Sequence, residues 1–296
     1  MWDIVAYRPS VLRRFPCIQF GRKGWRIRSP LPDLILERIT SGLFYDVITG
    51  NGPIRNNYGR RFEQYALRYL HAMLPCLSVE PEYKYKAFGN RFDTPDILVA
   101  ASPSNELELA IECKASRMSF GARFADEPTS ERGYEDIVKA IFQLWRYFSH
   151  CRRGRTGRMV NANAVGMVLT LDSWMVMGSE LFDDIFARAK AMAQERDPLI
   201  EEQDRKPIAF CSIPDFEIAL KIGTGSTMLE AVRLAADRHN RGSYLERLHA
   251  GIVGGEGHTR QYPFTDLSAM LPWLTTSKEG QLRVVLPQAQ STTVID

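Results

Sequence analysis

The stretch "TPDILVA" at residues 94–100 is followed, after a short polar gap, by "LELAIECKAS" at residues 107–116. Asp96 opens the first apolar strand, and Glu112 and Lys114 stand near the end of the second. Charged groups at the margin of a forming core need partners, because burying an ionised side chain alone is costly. Side chains alternate between the two faces of a strand. Leu107, Leu109, Ile111 and Cys113 therefore form one predicted face, and Glu108, Ala110, Glu112 and Lys114 the other. If the strands pair as a hairpin, Asp96 reaches Glu112 and Lys114. Two carboxylates beside an ammonium suit a hard divalent cation, since Mg²⁺ takes oxygen ligands and keeps part of its water shell. The lysine could then orient the attacking water or help to deprotonate it. The same groups also fit a plain Glu–Lys pair beside a turn-capping aspartate.

Two helices carry further polar groups. In "GRRFEQYALRYLHAML" Glu63 shares a face with Ala66, Leu67 and Leu70 by the three-and-four spacing of a helix. A carboxylate there could serve a metal or its water, or simply complement the helix dipole. In "VKAIFQLWRYFSH" Lys139, Gln143 and Tyr147 recur every four residues on a helix otherwise apolar nearly all round. They form a site-facing stripe or a solvent-facing one.

The elements that must position these groups follow from periodicity and turn residues. "LRRFPCIQFGRKGWRIRSP" reads as a hairpin with Gly21 and Gly24 in its turn, followed by a helix over about 32–45. "TGNGPIRNNYG" reads as a loop. Then come a helix (59–74), a strand (79–87), the two quoted strands and a helix (133–150). A strand (164–171), a helix (181–196) and a strand over 208–221, with a break expected at Pro214, follow. The remainder is predicted to be mainly helical, ending in a tail, "PQAQSTTVID". Strands interleaved with helices predict an α/β fold with a mixed central sheet flanked by helices. The expected organisation is an N-terminal hairpin and helix (1–55), a core (56–222) and a C-terminal helical region (223–296).

A helix glutamate, then Pro-Asp, then Glu-x-Lys on the next strand, then Gln-x-x-x-Tyr on the next helix resembles the PD-(D/E)XK nuclease superfamily. The likeness is to its RecB-like branch and covers about residues 59–150 and the strand after them. The resemblance implies a restriction-endonuclease-like core. It implies Asp96 and Glu112 as metal ligands, with the backbone carbonyl of Cys113 as a third. Lys114 would handle the water, Glu63 would complete the acidic cluster, and Gln143 with Tyr147 would support the site or touch a phosphate. The cofactor implied is Mg²⁺ or Mn²⁺, and the reaction is phosphodiester hydrolysis in DNA, in defence against foreign DNA or in DNA repair. A relative that keeps the fold as an inactive nucleic-acid-binding or regulatory subunit stays open. The four-cysteine iron–sulfur cluster of some RecB-like nucleases is not expected here.

Composition bounds the rest. With 45% hydrophobic and 25% charged residues the chain can build a core, and its net charge of +3 permits a nucleic-acid partner without pointing to one. The five cysteines are widely spaced and form no CxxC pair, which argues against a disulfide framework or a zinc site. No apolar run approaches the roughly 18 residues of a membrane span, and "MWDIVAYRPS" lacks the apolar stretch of a signal peptide. A reduced, cytoplasmic setting is expected. "CRRGRTGR" places Arg152, Arg153, Arg155 and Arg158 just after the Gln143 helix, where they could track a phosphate backbone or form a solvated loop. The five histidines show no ligand spacing, and His239 and His249 are expected at the surface. "IVGGEGHT" lacks a Walker lysine and reads as a loop. With no helicase or ATPase motif, translocation would need a partner protein such as an ATPase or helicase, and a homo-oligomer is the alternative association.

Overall fold

The computed structural model describes residues 11–13, 15–21, 26–40, 42, 44, 52–102, 104–115, 132–173, 179–254, 259–264, 274–276 and 282–284. The N-terminal hairpin pairs β1 (Ile18–Phe20) with β2 (Arg26–Arg28), with Gly21 at φ 93° leaving the first strand. Gly24 lies outside the described residues. Helix α1 (Asp33–Ile39) begins after Pro32, shorter than the span expected to reach residue 45.

Helix α2 (Gly52–Met73) starts well before the predicted residue 59. Phe62, Ala66, Tyr69, Leu70 and Met73 bury its inner face. Once that face nucleates the helix, each added residue gains a hydrogen bond, so the weak helix formers Asn56, Asn57 and Gly59 extend it. Pro53 is tolerated because the first turn has no intrahelical partner for its missing N–H.

The predicted strand over 79–87 is two strands. β3 (Leu77–Pro81) joins the main sheet, whereas β4 (Lys84–Ala87) pairs antiparallel with β5 (Asn90–Asp93) in a separate hairpin. Pro81 marks the break, since proline cannot continue a ladder as a donor. Phe88 (φ 50°) and Gly89 (φ 81°) form the two-residue turn, both in the left-handed region that hairpin turns of this length demand. At the hairpin's base the Tyr83 N–H donates to Thr94 Oγ1 (3.1 Å) and the Thr94 N–H donates to the Tyr83 carbonyl (3.0 Å).

Strands β6 (Ile97–Ala101), β7 (Leu107–Lys114), β8 (Val160–Thr170) and β9 (Ile208–Ser212) complete a central sheet of order β3-β6-β7-β8-β9. The first three strands in that order pair antiparallel, and β7–β8 and β8–β9 pair parallel. Parallel neighbours need long crossovers, supplied by α3 (Arg132–Arg152) and α4 (Ser179–Arg196). The fold is α/β with a mixed sheet flanked by helices, as expected.

Each face of the sheet has its own core. On one face Val99, Leu109, Ile111, Cys113 and Met167 pack with α2, α5 (Ile213–Ala219) and α6 (Gly225–Ala236). On the other, Leu98, Ala110, Val168 and Phe210 pack with α3 and α4. Against β6, adjacent Val99 and Ala100 face Leu109 and Leu107, so Glu108 is an extra residue and the start of β7 changes which core it faces. Leu107 joins the α3 side, and Glu108 turns to the α6 side, where it pairs with Arg233. The alternation expected from residue 107 therefore holds only from Leu109 onward. Such a bulge places two residues of one strand against one of its neighbour.

The strand expected over 208–221 ends at Ser212, and Pro214 opens α5, where its fixed φ suits a helix start. Helices α6 and α7 (Leu245–Val253) agree with the helical reading, and residues beyond 222 share the core of those before it, through Met228, Ala231, Val232 and Leu245. A short hairpin of β10 (Leu274–Thr276) and β11 (Leu282–Val284) stands where helix was expected. The residues of "PQAQSTTVID" lie outside the described ones, as do 255–258 of "IVGGEGHT". Among the described residues no helix is long and apolar enough to cross a membrane.

Candidate functional site

Pairing of Ile97 with Ile111 sets the register of β6 against β7 and brings Asp96, just before β6, level with Glu112. Ile111 faces the α2 core, so Glu112, next to it in β7, lies on the α3 side. Asp96 Oδ2 accepts the Cys113 N–H at 2.6 Å. Lys114 Nζ donates to Glu112 Oε2 at 2.9 Å and to Gln143 Oε1, on α3, at 3.4 Å. The Glu112 side chain is only 4% exposed and that of Lys114 19%. Two adjacent strands and a helix thus converge on one point at the end of the sheet.

Burial disfavours the charged form of a carboxylate. It pushes Glu112 up to about 7, with the Asp96 charge adding to the rise and Lys114 opposing it. Burial also raises Asp96, opposed by Lys114 and by the Cys113 N–H. Glu63, half-buried on α2, is raised to about 7 by burial and then by the charges of Asp96 and Glu82, so it belongs to the same electrostatic group. Burial would favour a neutral lysine, but Glu112 and Asp96 outweigh it and hold Lys114 above its ordinary value. Lys114 stands as an ammonium. In the metal-free protein that form can orient or polarise a water.

Glu82 was missed. It lies just ahead of β4, and partial burial of its carboxylate, with Asp96 and Asp93, raises its pKa. The signal was "EPEY" at residues 80–83, whose proline breaks the strand and leaves the second glutamate beside the site.

The four acids share Lys114, with the charges of Arg60 and Lys84 also acting on Glu63 and Glu82, and the donors are hard oxygens. Asp96 and Glu112 each use one oxygen internally, and the other has no hydrogen-bond partner among the described residues. The donor set fits Mg²⁺ or Mn²⁺ in chemistry. Among the described residues, however, no three His, Cys, Asp or Glu side chains are already placed to hold a metal ion. Lys114 is bonded to one of these acids, Glu112.

Tyr147 does not join the cluster. It is 1% exposed and packs edge-on against Tyr85, with ring centroids 6.0 Å apart. Each four-residue step on a helix advances about 40° beyond a full turn. The stripe from exposed Lys139 through Gln143 therefore rotates into the core by Tyr147, where a phosphate cannot reach it.

The arginine segment joins α3 to β8. Because β8 runs parallel to β7 and Val160 pairs with Leu107, the segment lies at the opposite end of the strand from Lys114. Seven residues of strand span about 23 Å. Arg152 grips buried Asp204 through Nε (2.7 Å) and Nη2 (2.9 Å). Arg153 donates to Asp197 at 3.0 Å, and Arg158 pairs with Glu80 and bonds Asn105. Arg155 has no acidic partner among the described residues and lies over the Phe88 ring at 4.7 Å.

Removing Arg152 should therefore be felt as lost stability. Burial opposes the Asp204 charge, but Arg152 and the Glu201 N–H outweigh it and hold the carboxyl below its usual value. Arg152→Ala is expected to cost about 1–3 kcal/mol in urea unfolding at neutral pH, as a buried acid left without its partner does. A carboxyl with a depressed folded pKa stabilises above the ordinary value near 4 and loses that contribution as pH falls through the folded one. The deficit should accordingly be full at pH 7 and close in acid. A variant as stable as wild type at pH 7 would contradict this role.

His249, expected at the surface, is fully buried: Nδ1 donates to the Ala219 carbonyl (2.8 Å), and Nε2 meets Thr227 Oγ1 (2.9 Å). His239 is exposed. No family model, curated protein or solved structure matches the chain.

Proposed function

We propose that the chain is a metal-dependent nuclease that hydrolyses phosphodiester bonds in DNA, in defence against foreign DNA or in DNA repair. The observation that supports it is the convergence of Asp96, Glu112 and Lys114 from adjacent strands, with Glu63 and Gln143 brought in from helices. A bound Mg²⁺ would supply Lewis-acid polarisation of the phosphate and a more acidic water. Asp96 and Glu112 would hold it through their free oxygens, with the Cys113 carbonyl as a further donor. Lys114, steadied by Gln143, would orient the water and offset charge on the phosphate. Glu63 and Glu82 add carboxylates whose raised pKa a bound cation would lower. All five cysteines are free thiols, in keeping with the reduced cytoplasm as the place of action.

One observation favours a second reading. Lys114 pairs with Glu112 at 2.9 Å, and among the described residues no three acids are grouped around one point, as in a domain that binds nucleic acid without cutting it. Incubation with Mg²⁺ and circular, linear and single-stranded DNA, and RNA, tests the first. Mg²⁺-dependent cleavage of DNA, stopped by chelator and missing in Asp96→Asn, is expected. Retention of nucleic acid without cleavage, and no heat on titration with Mn²⁺, would establish the second.

A further inference from the structure

We propose that the outer face of the β4–β5 hairpin is a phosphate-backbone contact surface, holding the nucleic acid that is cut at the neighbouring acidic cluster. It deepens the nuclease reading and rests on it. Residues directly opposite in an antiparallel pair share a face. Tyr85 and Ala87 are buried, and Tyr85 pairs with Phe92 on that inner face. Lys84, Lys86, Arg91 and Asp93 are left on the outer one. Lys84 faces Asp93 and pairs with it at 3.5 Å, which is ordinary. Lys86 faces Arg91.

That second pair is two cations side by side, about 5 Å apart at Cβ, an arrangement that destabilises a hairpin. Both residues are exposed, and among the described residues no carboxylate pairs with either. At the tip, exposed Arg155 extends the cationic line over Phe88. Two cations without acids on the ribbon, and a third from the α3–β8 segment at its tip, suit a row of anions. A nucleic-acid backbone is such a row.

The ribbon's base adjoins the site, because Glu82 precedes β4 and Asp96 follows β5, and the Tyr83–Thr94 bonds pin the two ends together. Lys86 lies four residues from Glu82 along the strand, about 13 Å. Lys86 would therefore meet the backbone a few nucleotides from the point of cleavage.

The test is binding of short duplex DNA to the full chain with Ca²⁺ in place of Mg²⁺, at several salt concentrations, by fluorescence anisotropy. Each phosphate contact contributes about 0.9 to the slope of log affinity against log salt. Lys86→Ala/Arg91→Ala is expected to flatten that slope by about 1.8, and adding Arg155→Ala by about 0.9 more. The double variant should melt no lower than wild type, because a repulsive pair has been removed. Lys190→Ala/Arg196→Ala, on α4, changes the net charge equally and should leave the slope where it was. If wild type binds and the hairpin variant keeps its slope, the hairpin assignment is wrong and the nuclease reading stands. If wild type binds neither DNA nor RNA, both fall.

Discussion

Glu112→Gln, and equally Asp96→Asn, is expected to lower Mg²⁺-dependent cleavage by at least about a thousandfold, the upper scale for losing one transition-state-stabilising group. Each change keeps the shape of the side chain and removes the charge that holds a cation. In the metal-free protein the same change should raise stability. Glu112 is buried, and its carboxyl is pushed up to about 7. Between the ordinary value of about 4.3 and that raised one, the folded chain binds more protons than the unfolded chain, so stability falls as pH rises. The penalty is complete above pH 7. Glu112→Gln should therefore gain about 1–3 kcal/mol at pH 8 in chelator, judged against the scale of buried carboxylates, and nothing at pH 4. Wild-type cleavage by either variant would remove both residues from the site.

Lys114→Ala should separate binding from catalysis. The ammonium is bonded to Glu112 and Gln143, and the surrounding acids hold its proton. A lysine that orients water contributes to the rate and competes with a metal for the carboxylates. The variant is expected to bind Mn²⁺ at least as tightly as wild type in calorimetric titration, and to cleave about a hundredfold more slowly, the usual lower scale for such assistance. Lys114→Arg keeps the charge and should recover part of the rate. Joint loss of metal binding and activity in Lys114→Ala would mean that the lysine serves the fold instead.

Asp96, Glu112 and Lys114 were legible because strand alternation and one hairpin register suffice to bring them together. Gln143 was legible from helical spacing. Tyr147 was not, because a four-residue repeat drifts around a helix and only the packed partner decides when it has turned inward. Glu82 was hidden by Pro81, which divides what looked like one strand into a sheet strand and a separate ribbon. His249 looked like a surface residue because both its partners, Thr227 and Ala219, are distant in sequence. The partners of the arginines are likewise non-local: Asp197, Asp204 and Glu80 appear beside them only after folding. The α/β class itself needed only the alternation of strands and helices. What escaped was decided by contacts between segments far apart in the chain.

The bulge in β7 gives the gene a reading phase at the level of side chains. Downstream of it every residue is committed to one face, with Glu112 and Lys114 towards α3 and Ile111 and Cys113 towards α2. Loss of one codon from positions 109–111 would exchange the two sets, sending the acid and the ammonium into the apolar layer. Loss of codon 108 would instead remove the residue left over in the ladder with β6, at the expense of the Arg233 pair. Single-residue deletions along this strand should thus be tolerated at one point and ruinous a step or two later. A deletion scan scored by soluble yield would show that boundary directly.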